Sequence, residues 1–193
     1  MQQYWTRWET WMQTYAPRLI SLLYPGVSAD SIAALEDLTG AALPATFKAF
    51  YAIHDGQKAD KAGLVNGDTL LPLHEIILQW QQWKRLLDEG TFKTQLVCEP
   101  DTGICYNWWN PLWIPFTHDG LGNYLCIDLD PTPGGTPGQV ITFWHDDPHR
   151  EIVAPSFEAW ISDYINAIER GEYIYLKKWG IVHKDAAFNY NDR

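Results

Sequence analysis

The sequence predicts an α+β domain in which helices precede and follow an antiparallel meander of strands. Three observations carry that expectation. In roughly the first half, apolar residues recur at helical spacing, whereas from about Leu96 they fall into short runs separated by Gly, Pro, Asn and Asp. "SFEAWISDYINAIERG" then returns to helical periodicity. Helices, then strands, then a helix is an α+β order.

Taken along the chain, Trp5, Trp8, Met12, Tyr15, Leu19 and Leu22 form an apolar stripe, and Pro17 is placed to break that helix or begin another. "SADSIAALEDLTG" reads as a short helix with Ser28 as N-cap, Ile32, Leu35 and Leu38 as its buried side and Gly40 as its stop. Pro44 opens a third helix that buries Phe47, Phe50 and Tyr51 and ends at His54-Asp55-Gly56. "QKADKAGLVNGD" is a loop or hairpin, "TLLPL" a strand, and Ile76, Ile77, Trp80, Trp83 and Leu87 mark a longer helix closed by Gly90. "LWIPFT", "NYLCIDL", "QVITFWH" and "EIVA" make an antiparallel meander. In the last helix Ser156 is the cap, and Phe157, Trp160, Ile161, Tyr164 and Ile168 face inward. The tail after Gly171 is expected to pack at the edge and to fray beyond Lys184.

Composition narrows the function classes. Hydrophobic residues make up 46% of the 193, enough for one packed core. The formal charge of −10 disfavours nucleic acid and anionic lipid as direct partners and favours a basic one. No signal peptide or membrane-length apolar run is visible, so the expected location is cytoplasmic. Cys98, Cys105 and Cys126 are odd in number and lack CxxC spacing, which fits reduced thiols rather than zinc ligands.

Searching for catalysis yields little. His-Asp-Gly occurs at residues 54–56 and again at 118–120, and such pairs serve as ligands in some metal-dependent hydrolases. Here each stands at the end of an element, where Asp-Gly supplies turn geometry. His145, Asp146, Asp147 and His149 form the densest ligand cluster, but Pro148 marks it as a loop, and neighbouring ligands on one loop seldom surround an ion unaided. There is no GxSxG elbow, and "PTPGGTPGQ" lacks the lysine of a phosphate loop. The expectation is therefore a non-enzyme with no cofactor and no metal site.

Several ordered stretches resemble the SMI1/KNR4 family, also called the SUKH superfamily. "PGVSADSIAALEDLTGAALPATFKAFYAIHDG", with Glu36 after its apolar helix, is similar to the family's helical opening. "LLPL" with its tryptophan-bearing helix, "WIPFTHDGLGNYLCIDLDPTPGGTPGQVI" and "SFEAWI" resemble the blocks that follow. The resemblance assigns residues 22–170 to one such domain, leaving 1–21 as a Trp-rich helical extension and 171–193 as a tail. It implies a mainly antiparallel sheet with flanking helices and a protein that binds other proteins. The first expectation drawn from it is a cytosolic immunity protein that neutralises a basic toxin of nuclease type. The alternative is an intracellular regulator or scaffold connected with cell-wall assembly or signalling, and a metal-dependent hydrolase ranks below both.

Partner-binding residues follow from the same reasoning. Asp119, Asp128, Asp130, Asp146 and Asp147 are expected to project from meander loops toward a basic partner. Trp108 and Trp109 are adjacent on a strand-like stretch, so they point to opposite faces and one is available as an aromatic anchor. The opposing reading, in which Asp119 and Asp128 hold turns and the tryptophans fill the core, remains open from sequence alone.

Overall fold

A computed structural model of the protein describes residues 1–94 and 97–187. Its elements, in order, are α1 (Gln2–Tyr15), α2 (Pro17–Ile20), α3 (Ala29–Thr39), α4 (Ala45–Tyr51), β1 (Thr69–Leu70), α5 (Leu73–Asp88), β2 (Glu99–Pro100), β3 (Trp113–Pro115), β4 (Thr117–His118), β5 (Tyr124–Asp128), β6 (Gln139–Phe143), β7 (His149–Arg150), β8 (Ile152–Ala154), α6 (Phe157–Glu169), β9 (Tyr173–Leu176) and β10 (Gly180–His183). The α+β class and the mainly antiparallel sheet are those the sequence predicts. Leu96, taken as the start of the strand-rich half, and the end of the tail beyond residue 187 lie outside the described residues.

Local signals set the helix ends. Pro17 stands at the first position of α2, and the Ser28 and Ser156 hydroxyls accept the amides of Ser31 and Ala159. Leu38 departs from expectation at 38% exposed, because Thr39, one turn beyond Leu35, takes the inward position on α3. Glu36 ties α3 to the next helix by accepting the Leu43 amide at 2.7 Å and Lys48 Nζ at 3.0 Å. That amide, then Lys48, holds its carboxyl below the usual range.

The meander is a four-stranded sheet of order β3-β5-β6-β8, every pair antiparallel. Alternation along β5 and β6 gives it two apolar faces. Tyr124, Cys126, Ile141 and Phe143 share one, where Trp83 of α5 meets the Phe143 ring at 4.7 Å. Across the sheet, Phe116 packs on Phe157 and Trp160 of α6 at 5.5 and 4.8 Å. Burial on both faces explains why the strands read as nearly continuous apolar runs. β1 pairs with β4, and β2 forms a short parallel pair with β7.

Residues 1–21 and the hairpin of residues 173–183 are integral to this core. Trp5, fully buried, stacks on Phe50 at 4.5 Å and donates its indole N–H to the Phe50 carbonyl at 3.0 Å. Trp8 packs edge-on to Tyr164 of α6 at 5.6 Å. Residues 1–21, set apart by sequence as an extension, therefore share the domain's hydrophobic core. The described part of the tail packs at the edge: β9 and β10 form a hairpin, Ile181 and Val182 are fully buried, and Ile181 donates its amide to the Gly63 carbonyl.

Candidate interaction surface

β5 is the ruler on which the predicted aspartates are placed. Its five residues span roughly 13 Å, with the 119–123 turn at its start and the 129–138 loop at its end. Because β6 runs back antiparallel, the 144–148 turn returns to the first end. The structure thus separates Asp119, Asp146 and Asp147 from Asp128 and Asp130 and does not gather the five into one patch.

Asp128 is fully buried, so it does not project toward solvent. It accepts the Asp130 amide at 3.0 Å and the Gln139 side-chain amide at 2.8 Å, while Gly138 donates to its backbone carbonyl. Burial pushes its carboxyl up. The neighbouring Asp130 is exposed and accepts from Asn110 at 2.9 Å. The Cys105 thiol also lies against Asp130, and burial, reinforced by that carboxylate, raises the thiol to about 11.

At the other end Asp119 closes its turn by accepting the Leu121 and Asn123 amides at 2.7 and 3.1 Å and the Asn123 side chain at 2.7 Å. His118 stacks on Tyr124 at 4.8 Å, and its Nε2 accepts the Gly122 amide at 3.2 Å. Burial lowers the His118 pKa, in keeping with a neutral ring whose Nε2 is an acceptor. Asp147 accepts the His149 amide and Nδ1 at 2.8 and 2.7 Å, and His149 Nε2 lies 2.9 Å from Glu99. The carboxylate is held low first by that amide, and the imidazole is raised by Asp147. Asp146 stays open to solvent.

Arg150 organises this end, and sequence reasoning missed it. It is fully buried, with its guanidinium 4.7 Å from the Phe143 ring and 5.2 Å from the Trp108 ring. Nη1 donates to the Asp147 and His149 carbonyls and Nη2 to the Trp108 carbonyl at 2.8 Å. Carbonyl dipoles and ring faces take the place of a carboxylate partner, and burial lowers the pKa. One side chain therefore fastens the Trp108 loop to the 147–149 turn.

The two tryptophans differ in burial as expected, although neither lies on a strand. Trp109 is 3% exposed and lies 6.4 and 6.5 Å from Trp80 and Trp83, so it is core and offers no anchor to a partner. Trp108 is half-buried and lines a groove of about 320 Å³ with Leu87, Phe92, Lys93 and Tyr106. Tyr106 is 66% exposed and Trp144, beside the Asp147 turn, 47%. Glu99, Asp146 and Asp147 add acidic groups around Trp108 and its turn. Among the described residues no group of three or more His, Cys, Asp or Glu side chains is arranged to hold a metal ion. No described helix is long and apolar enough to cross a membrane.

Residues 26–163 match the profile of the SMI1 / KNR4 family (SUKH-1). The chain belongs to that family. It is 28% identical over 184 residues to the cell wall biosynthesis/cell cycle regulator smi1 of Schizosaccharomyces pombe, covering 88% of this chain and 36% of the relative. Identity to the glucan synthesis regulatory protein of Neurospora crassa is 24%, covering 88% of this chain and 38% of the relative. For the cell wall assembly regulator SMI1 of Saccharomyces cerevisiae it is 23%, covering 88% and 40%. The SMI1/KNR4 chain thus spans well under half the length of these relatives. All three are named as regulators, which agrees with the regulatory alternative; none of them is named as a toxin-immunity protein.

Proposed function

We propose that this SMI1/KNR4 domain is a non-catalytic, intracellular interaction module of a cell-wall regulatory kind, and that the Trp108 groove is its partner surface. The observation that carries the reading is the construction around Arg150. A buried cation with no carboxylate hydrogen-bonded to it among the described residues is costly to maintain, and here it fixes a half-buried tryptophan in a region that also exposes Tyr106 and Trp144. Aromatic anchors with Glu99, Asp146 and Asp147 on the neighbouring turn, and Lys93 as the charged residue of the lining, suit a partner of mixed charge that carries basic residues: the rings supply buried contact and the carboxylates steer approach. The names of the fungal relatives support the regulatory setting.

The test is a domain exchange. This chain replaces the matching segment of the S. cerevisiae regulator, and growth is scored on a cell-wall-binding dye. Restored growth that is lost in the Tyr106→Ala/Trp144→Ala double variant supports the proposal, because both side chains are exposed and the fold should survive. A folded chain that fails to restore growth refutes the regulatory role. Restoration indifferent to the double variant moves the interface elsewhere. The immunity reading keeps one supporting observation, the acidity of the chain; saturable binding of a basic nuclease that abolishes its activity would favour it instead.

A further inference from the structure

The C-terminal hairpin presents a second surface, remote in sequence from the Trp108 groove. Among the described residues β9 pairs only with β10, whose far side bridges to Gly63, so β9 is an edge strand. Its sequence, Tyr173-Ile174-Tyr175-Leu176, holds neither charge nor proline, two devices by which soluble proteins blunt such edges. Beside it runs a groove of about 370 Å³ whose lining includes Trp11, Tyr15, Tyr173, Ile174 and Tyr175 together with the carboxylate-bearing Glu169. Trp11 and Tyr15, one turn apart on α1, have ring centroids 5.2 Å apart, and Tyr15 is 61% exposed.

Charge is distributed unevenly about this groove. Residues 22–168 contain 7 Lys and Arg against 19 Asp and Glu, 7 − 19 = −12, whereas residues 1–21 and 169–187 together contain 6 against 4, 6 − 4 = +2. Glu169 and Glu172 are neutralised by Arg7 and Arg170. Lys177, directly after β9, is exposed. Most of the groove is thus built by segments of net positive formal charge, and Glu169 in its lining is paired with Arg7.

We infer that the β9 edge and its aromatic groove dock an extended, acidic segment of a partner protein, which adds to β9 as a further strand. Main-chain hydrogen bonds supply the pairing, alternate apolar side chains enter between Tyr15 and Tyr175, and carboxylates meet Lys177. A second copy of this chain fits less well. A four-residue edge offers little of the roughly 1,200 Å² that a stable interface needs, and pairing would bring two acidic domains together. The assignment rests on the reading of the chain as an interaction module and gives that module a second partner chemistry. Because the test is a binding measurement on the chain by itself, its outcome is separable from that of the growth assay.

The full chain, isotopically labelled, is titrated with the probe acetyl-Glu-Val-Asp-Tyr-Glu-Val-Asp-amide. Saturable amide shifts are expected at residues of β9, β10 and the end of α1. Methylating alternate backbone nitrogens of the probe should weaken binding at least about tenfold, and exchanging its acidic residues for lysine should do the same. Lys177→Glu and Tyr15→Ala should each weaken it severalfold without lowering the melting temperature, since both side chains are exposed. Absence of saturable shifts at β9 overturns the proposal. So does equal binding of the N-methylated probe, which would mean groove contact without strand addition. A concentration-dependent dimer with the same shifts in the absence of peptide would assign the edge to a second copy and overturn it too.

Discussion

The tripeptide His-Asp-Gly occurs twice, and the molecule puts the two copies to different uses. At residues 54–56 it is a junction. His54 lies between Glu9 of α1 and the Tyr24 carbonyl at 2.7 and 3.0 Å, and Asp55 accepts the Leu73 amide at the start of α5 at 2.6 Å. At residues 118–120 it is a turn closed on itself through Asp119 and Asn123. Both glycines have positive φ, +60° for Gly56 and +86° for Gly120. They differ in what surrounds them: a Cβ on Gly56 would lie 2.5 Å from the Leu71 carbonyl oxygen, whereas one on Gly120 would meet nothing within 4 Å. Identical motifs thus carry different constraints, one of conformation and packing together, the other of conformation alone.

That contrast is broken most directly at Gly56. Gly56→Ala forces either the β1 backbone or the junction to move, since the obstructing atoms are main-chain oxygens of Leu70 and Leu71. The expected cost exceeds about 3 kcal/mol, which for a chain of this size lowers the melting temperature by roughly 6–12 °C. Calorimetry on the variant measures it. A loss below about 1 kcal/mol would show that the junction yields and that the two turns are equivalent after all.

Much of this architecture was legible in the sequence, and the limits have physical causes. Helical periodicity identified the inward residues of α4, α5 and α6 because burial follows the 3.6-residue repeat. The same periodicity could not say what a stripe packs against, so Trp5 and Trp8 read as a buried face without Phe50 and Tyr164 being legible as its partners. Asp128 was open to two readings because a strand-end aspartate looks the same in sequence whether it holds a loop or faces a partner. Its partner Gln139 is eleven residues away and becomes a neighbour only through β5–β6 pairing. Arg150 gave no signal at all: an arginine in "DDPHRE" reads as solvated. The β9–β10 hairpin did leave one, since "YIYL" and "IVH" flank a turn ending in Gly180, whose φ is +87°.

The second turn has a further carboxyl, Asp68, beside its own Asp119. Register pairs Thr69 with His118, so one further step sets Asp68 against Asp119. Burial, with Asp119 adding to it, raises the Asp68 carboxyl to about 7. Between about pH 4 and pH 7 the folded chain therefore holds a proton that the unfolded chain has released, and folding weakens as pH rises through that window. Asp68→Asn removes this dependence. Urea melts at pH 5 and pH 8 should show the variant gaining on the parent by about 2 kcal/mol, allowing for the partial exposure of the site. Parallel curves would mean that Asp68 is solvated in the folded chain.

Gly120 gives the next smaller effect. Gly120→Val places a β-branched residue at positive φ with open space around it, so the loss is conformational strain of about 1–2 kcal/mol. Gly120→Ala should lose less than Gly120→Val, whereas at Gly56 even the methyl group is obstructed. Denaturant midpoints for the three variants give the comparison. Equal losses for Gly56→Ala and Gly120→Ala would remove packing as the distinguishing constraint.

The smallest effect is expected at Asp119 itself. Asp119→Asn retains one carbonyl oxygen in place of Oδ1, and Oδ1 is the atom that accepts the Leu121 and Asn123 amides. Only the bond from the Asn123 side chain to Oδ2 loses its acceptor, and this turn is open enough for water to replace it, so the cost should be no more than about 0.5 kcal/mol. Removing the charge also lessens repulsion of Asp68, which offsets part of that loss above pH 7, where Asp68 is ionised. The net change at pH 8 should accordingly be smaller than at pH 5, and paired melts at the two values measure it. A larger loss at pH 8 would reverse the sign of the Asp68–Asp119 interaction. If stability holds but binding of a basic partner is lost, the second turn is an interface as well as a fold element, a role its identical counterpart at residues 54–56 cannot share because its His and Asp are engaged by α1 and α5.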